Sequence, residues 1–134
     1  MDDALRRFLQ SRHDVRLAYL YGSRARGQAG PDSDWDIGVL FDPPPEDPLA
    51  TEQLALDLAR ALGIPSDRVD LRDLQHADAR FLFFVLRDGR CVHARDEADR
   101  IDFETRALSK YYDFLPHMEE QDRAQRERFR RASA

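Results

Sequence analysis

The chain has 134 residues, 42% apolar and 35% charged, with a formal charge of −5: room for one ordinary globular domain over 1–134, and too little for a second substrate-binding domain. No apolar run approaches the ~20 residues that cross a bilayer, the N-terminus is acidic rather than leader-like, and Cys91 stands alone, which excludes membrane spans, disulfide staples and thiolate zinc sites and leads us to expect a cytoplasmic protein. The net acidity argues against direct nucleic-acid binding, although residues 121–134 set five arginines against two acids and carry +3, leaving −8 elsewhere.

Residues 3–13 place Leu5, Phe8 and Leu9 at helical spacing, which predicts a short amphipathic helix. Val15 to Tyr21 is an apolar, β-branched and aromatic run interrupted by Arg16, and reads as a strand that Gly22 ends. Ser23 to Ser33 is too rich in Gly, Arg and Pro for a strand and predicts a turn with one helical turn in it. Asp34 to Phe41 predicts a second strand. Its alternation puts Asp34, Asp36, Gly38 and Leu40 on one face and Trp35, Ile37, Val39 and Phe41 on the other. Asp42-Pro43-Pro44-Pro45 stops it.

From 49 to 62, Leu54, Leu58, Ala61 and Leu62 line one side of a helix that Gly63 closes. Arg68 to Leu71 predicts a third short strand. Residues 76–87 predict a buried helix with Phe81, Phe83 and Phe84 in the core, although Phe-Leu-Phe-Phe-Val also suits a strand; Cys91 and Val92 add a short edge strand. From 97 to about 131 a long helix follows, marked by Ile101, Leu108, Tyr111 or Tyr112, and Leu115, which Pro116 bends or breaks. The fold class is therefore α/β, a small mixed sheet with flanking helices and a helical C-terminal extension.

The chemistry lies between the first two strands and the third. Asp34 and Asp36 project from one face, and two like charges so close call for neutral burial or a shared divalent cation. Carboxylates without histidine or thiolate favour Mg²⁺, with Mn²⁺ the alternative. His13, His76, His93 and His117 are dispersed and form no ligand pair. Directly after a hydrophobic strand, Gly22 lets backbone approach an anion, and Ser23 offers N–H and hydroxyl. Arg24 and Arg26 are near enough to join Gly22 and Ser23 in contacting the triphosphate, with surface solubility the alternative; only one of them needs to face inward. The Walker pattern is absent. Asp70 alternates with Val69 and Leu71 and would bring a third carboxylate if its strand neighbours that of Asp34 and Asp36; Asp73 is its rival. Two metals about 3.5–4 Å apart would then clamp attacking and leaving oxygens around an α-phosphorus.

Gly22-Ser23, ten residues, Asp34-x-Asp36 and a later Asp70 resemble the signature of the DNA polymerase β-like nucleotidyltransferase superfamily. Tyr21-Gly-Ser-Arg-Ala-Arg-Gly27 with Ser33-Asp-Trp-Asp-Ile37 is similar to its minimal branch. Val69-Asp70-Leu71, Leu86-Arg-Asp-Gly89 and the Phe103–Phe114 segment resemble the MntA-type antitoxins within it. That resemblance implies the minimal nucleotidyltransferase fold and a hetero-oligomeric partner, a HEPN-domain ribonuclease toxin of the HepT type, neutralised by transfer of AMP from ATP to a tyrosine. It further implies that Gly22 and Ser23 hold the triphosphate, Asp34 and Asp36 two Mg²⁺ ions, and that Asp70 activates the tyrosine hydroxyl. Trp35 departs from the smaller aliphatic residue usual between the carboxylates. Two alternatives remain open to the sequence: the same site acting on a small molecule or an RNA end, and a non-catalytic, toxin-binding inhibitor.

Overall fold

The computed structural model describes residues 2–133. In chain order it runs α1 (Asp2–Gln10), β1 (Val15–Tyr21), a four-residue α2 (Gly22–Ala25), β2 (Trp35–Phe41), α3 (Ala50–Leu62), a 3-10 turn (Ser66–Arg68), β3 (Val69–Asp73), α4 (Ala79–Asp88), β4 (Arg90–Ala94) and α5 (Glu97–Ser133). The strands form one mixed sheet in the order β3-β2-β1-β4. β1 pairs antiparallel with β2 and β4, and β2 pairs in parallel with β3. A parallel pair needs a crossover, and α3 provides it.

Helices cover both faces of the sheet. On one side α1 (Leu5, Leu9) and α3 (Leu54, Leu58) pack against Val15, Ala18, Leu20, Trp35, Ile37, Val39 and Phe41. On the other, Leu82 and Val85 of α4 and Ala107 of α5 pack against Leu17, Tyr19, Leu40 and Leu74. Burial on both faces explains why β1 and β2 read as nearly continuous apolar runs. The interruption at Arg16 is an irregularity in the register between Val15 and Leu17, and this reset lets Val15 share a face with Ala18 and Leu20.

The helix alternative wins for residues 79–88. Asp78 caps α4, its side chain accepting from the Phe81 N–H at 2.8 Å. Helical spacing then turns Leu82 and Val85 inward, leaving Phe81 and Phe83 half-buried and Phe84 49% exposed. The aromatic run is therefore not the core that was expected. In α3, Ala59 rather than Ala61 joins Leu54 and Leu58, and Gly63 closes the helix with φ 68°. β2 begins at Trp35, one residue after Asp34, and β3 runs on to Asp73 because parallel pairing continues through Val39↔Asp73.

The last helix is continuous through Pro116, so the expected break is absent. Its packed face matches the expected stripe at Tyr111 and Leu115, both half-buried, and departs from it elsewhere. Ala107 is buried, Phe103 and Tyr111 are half-buried, and Tyr111 stacks on Phe83 with centroids 3.9 Å apart. Ile101 is 53% exposed and Leu108 36%. α4 has only ten residues and covers one side of a much longer helix. No helix among the described residues is long and apolar enough to cross a membrane.

Candidate active site

β1 ends and β2 begins side by side, and pairing carries the row onto β3. Tyr21 lies opposite Asp36, and Asp36 opposite Asp70. These three residues therefore form one lateral line across three strands, on the face that α4 covers. Asp70 takes this place because Val69 and Leu71, its neighbours, pack against the α1/α3 core. Asp73 shares their parity and serves its own turn, accepting from the Gln75 N–H at 2.9 Å.

Gly22 leaves the strand with φ +73°, and a Cβ on it would lie 2.2 Å from Asp36 Oδ2. The Asp36 carboxylate thus occupies the space a side chain at 22 would need. The turn closes through Arg26 N–H to Gly22 C=O at 3.2 Å and Gln28 N–H to Ser23 C=O at 2.9 Å. Ser23 is half-buried beside this crossing, whereas Asp34 is exposed at the end of the connecting loop.

Burial, then the charge of Asp70, then that of Asp34 holds the Asp36 carboxyl above the usual carboxylate range; Arg72 and Arg26 partly relieve it. The two arginines of the motif differ in placement. Arg26 is exposed, places positive charge toward Asp36, and donates to Gln28 Oε1 at 3.3 Å. Arg24 is turned into the loop, with one Nη donating to Ser33 C=O at 2.7 Å and its guanidinium 4.2 Å from the Trp35 ring centroid.

Two further residues, to which the sequence reading gives no role in the site, line it. Arg72 pairs with Asp70 at 3.6 Å and lies over Phe81, 5.3 Å from the ring centroid. The Tyr21 hydroxyl is buried with no hydrogen-bond partner among the described residues, and its pKa is pushed up to about 12 by burial and by Asp70. Phe81 meets the Tyr21 ring edge-on at 5.5 Å. Position i+2 from Asp70 was the available signal for Arg72; Tyr21 needed the cross-strand register.

Among the described residues no three Asp, Glu, His or Cys side chains are placed to hold a metal ion as they stand. The donor set nevertheless fits a hard cation. Asp36 and Asp70 are oxygen donors in adjacent register positions, and Asp36 bears repulsion that a divalent ion would relieve.

A family profile described as polymerase beta, nucleotidyltransferase matches residues 3–98. The protein adenylyltransferase MntA of Aphanizomenon flos-aquae is 33% identical over 102 residues, spanning 70% of this chain and 67% of that relative. A crystal structure of a toxin–antitoxin with AMP-PNP is similar at a TM-score of 0.73 and 26% identity, covering 96% of this chain and 97% of that one. A tri-AMPylated Shewanella oneidensis HEPN toxin in complex with MNT antitoxin provides another similar chain, at a TM-score of 0.66 and 25% identity, with coverage of 96% and 94%. With a matching profile over most of its length and a curated relative of this identity, the chain belongs to the polymerase β-type nucleotidyltransferase family, among the minimal, MntA-type members.

Proposed function

We propose that this protein is an antitoxin that transfers AMP from ATP to a tyrosine hydroxyl of a HEPN-domain, HepT-like toxin, with which it assembles, and so neutralises it. The observation that carries this reading is the row Tyr21–Asp36–Asp70 set against the Gly22 turn. This row offers carboxylates to an acceptor oxygen and an α-phosphorus, beside backbone that a phosphate chain can approach. The likeness to MntA, a protein adenylyltransferase, supports the same chemistry, and the toxin–antitoxin with AMP-PNP supports ATP as co-substrate.

In this reading the Gly22–Ser23 turn and Arg26 seat the triphosphate. Asp34, Asp36 and Asp70 hold two Mg²⁺ ions, or Mn²⁺ in their place. When bound, the metal neutralises charge on the phosphates and stabilises the leaving oxygen. Asp70 receives the proton of the incoming phenol. The phenolic oxygen forms its bond to the α-phosphorus as the bond to pyrophosphate breaks, and pyrophosphate departs. The shelf of Phe81 and Arg72 lies next to Asp70, where an incoming aromatic acceptor would rest. The whole chain acts as one catalytic domain in the cytoplasm, and the acceptor arrives as another protein's surface.

The test is incubation with labelled ATP, Mg²⁺ and a HEPN-domain, HepT-like toxin as acceptor. The reading expects mass gains in multiples of AMP on tyrosine, abolished in Asp36→Ala. Tight binding without any mass gain would replace it with stoichiometric inhibition.

A further inference from the structure

Asp34 is the last residue of the loop between α2 and β2, and that loop is tied down from two sides. Ser33 closes it on itself, its hydroxyl accepting from Gly30 N–H at 2.9 Å and its own N–H donating to Gly30 C=O at 3.2 Å. Arg68, just before β3, donates to Pro31 C=O at 3.4 Å and pairs with Asp32 at 3.0 Å. That pair is open to water, with Asp32 87% exposed, and contributes little. The stronger tie is Arg24. It grips the residue before Asp34 through the Ser33 carbonyl and the residue after it through the Trp35 ring. Trp35 is itself fixed in the α1/α3 core at 1% exposure.

We propose that Arg24 is a positioning residue for metal binding: it brackets Asp34 and sets its carboxylate relative to Asp36, leaving phosphate contact to Arg26. The inference rests on the nucleotidyl-transfer reading above and assigns the two motif arginines different tasks. A planar guanidinium can stack on an indole and donate in its own plane at once; an ammonium at the same position cannot do both. Arg24 comes from the Gly22–Ser23 turn, so the tie also connects the phosphate-binding element to the metal-binding one. Trp35, the residue unusual for the family pattern, supplies the ring that makes this possible. An arginine committed to phosphate would turn its buried, unpartnered Nε–H toward the ligand, and that is the competing role.

Trp35 is the chain's single tryptophan, so its emission reports on the bracket directly. Wild type, Arg24→Lys and Arg26→Gln are compared by circular dichroism, by acrylamide quenching of Trp35, and by Mg²⁺ titration of Trp35 emission with a non-hydrolysable ATP analogue present. AMP transfer is measured in parallel. For Arg24→Lys we expect native circular dichroism, more quenchable Trp35, an Mg²⁺ requirement raised about tenfold or more, and kcat lowered about tenfold to a hundredfold with KM for ATP little changed. Arg26→Gln should raise KM for ATP severalfold and leave Trp35 quenching as in wild type. A raised KM for ATP with unchanged kcat and Mg²⁺ requirement in Arg24→Lys would overturn the proposal, as would wild-type quenching of Trp35. If Arg24→Lys fails to fold, Trp35→Phe, which keeps the Ser33 bond and shrinks the ring, must show a smaller loss of kcat at constant KM; no loss overturns the assignment. Should the wild type transfer no AMP, the functional reading fails, while the quenching and Mg²⁺ titrations still decide the role of Arg24.

Discussion

Asp36 Oδ2 lies 2.2 Å from where a Cβ at position 22 would be, and Gly22 holds φ +73°. Glycine is required there twice over, by backbone conformation and by space for the carboxylate. Gly22→Ala should lose about 1–2 kcal/mol from the left-handed backbone alone, plus the cost of displacing Asp36, and should lower AMP transfer by about a hundredfold or more. Gly27→Ala is the control, since Gly27 has φ +71° but nothing within 4 Å of its Cβ; thermal melts should show the backbone cost there without the catalytic loss. Asp36 itself opposes folding when charged, because its carboxyl sits above the usual range in the native state. A raised native pKa means the folded chain binds more protons in the interval between the unfolded and folded values. Stability therefore falls as pH rises through the folded pKa and is fully recovered only below the unfolded value of about 3.9. Metal-free Asp36→Asn should accordingly melt a few degrees higher than wild type at neutral pH, with the advantage vanishing below that interval, while AMP transfer is lost. Equal melting points at neutral pH would contradict the like-charge argument.

At the scale of elements, helical period overrules composition in α4. Leu82 is 7% exposed and Phe84 49%, so Leu82→Ala should destabilise by about 2–4 kcal/mol, and Phe84→Ala by well under half of that, as urea unfolding can measure. The phenylalanines could not be placed from sequence because six apolar residues in a row, Phe81 to Leu86, satisfy any period; the Asp78 cap, three residues before Phe81, was the discriminating signal. β1 and β2 were legible for the opposite reason: cores on both faces leave long apolar runs, and Gly22 and the prolines after Asp42 end them sharply. β3 was only half legible, since Arg72 and Asp73 carry no strand signal and are held in place by register with Gly38 and Val39. The same register explains what was readable at the site. Gly22, Ser23, Asp34, Asp36 and Asp70 are set by spacing along the chain, whereas Tyr21 and Arg72 join them only through pairing between strands. On α5 the pattern holds at Tyr111 and Leu115 and misses Phe103 and Ala107, because the sheet and the short α4 select the packed positions, Phe103 against Tyr19 and Tyr111 against Phe83, leaving Ile101 and Leu108 outside.

For the whole molecule, the family profile ends at residue 98, yet α5 continues to Ser133. From 119 onward every described residue is exposed, and the tie back to the body there is the ion pair Arg80–Asp122 at 3.5 Å, itself about half exposed. A chain ending at Met118 should therefore melt within about a degree of the full protein, since exposed pairs contribute ~0–1 kcal/mol; a drop of several degrees would mean that the distal helix stabilises the body. The single parallel pair in the sheet has a different consequence, one of timing. β1 and β2 meet through the short connection at 22–34, but β3 reaches β2 only after the crossover at 42–68 has been laid down. Distant pairings must close a longer loop before they are rewarded. As synthesis proceeds, Gly22, Ser23, Asp34 and Asp36 can take their places while Asp70 is still to come. On the proposed reading, the residues assigned to the nucleotide are joined by a local connection, and Asp70 completes their row only once the crossover has closed.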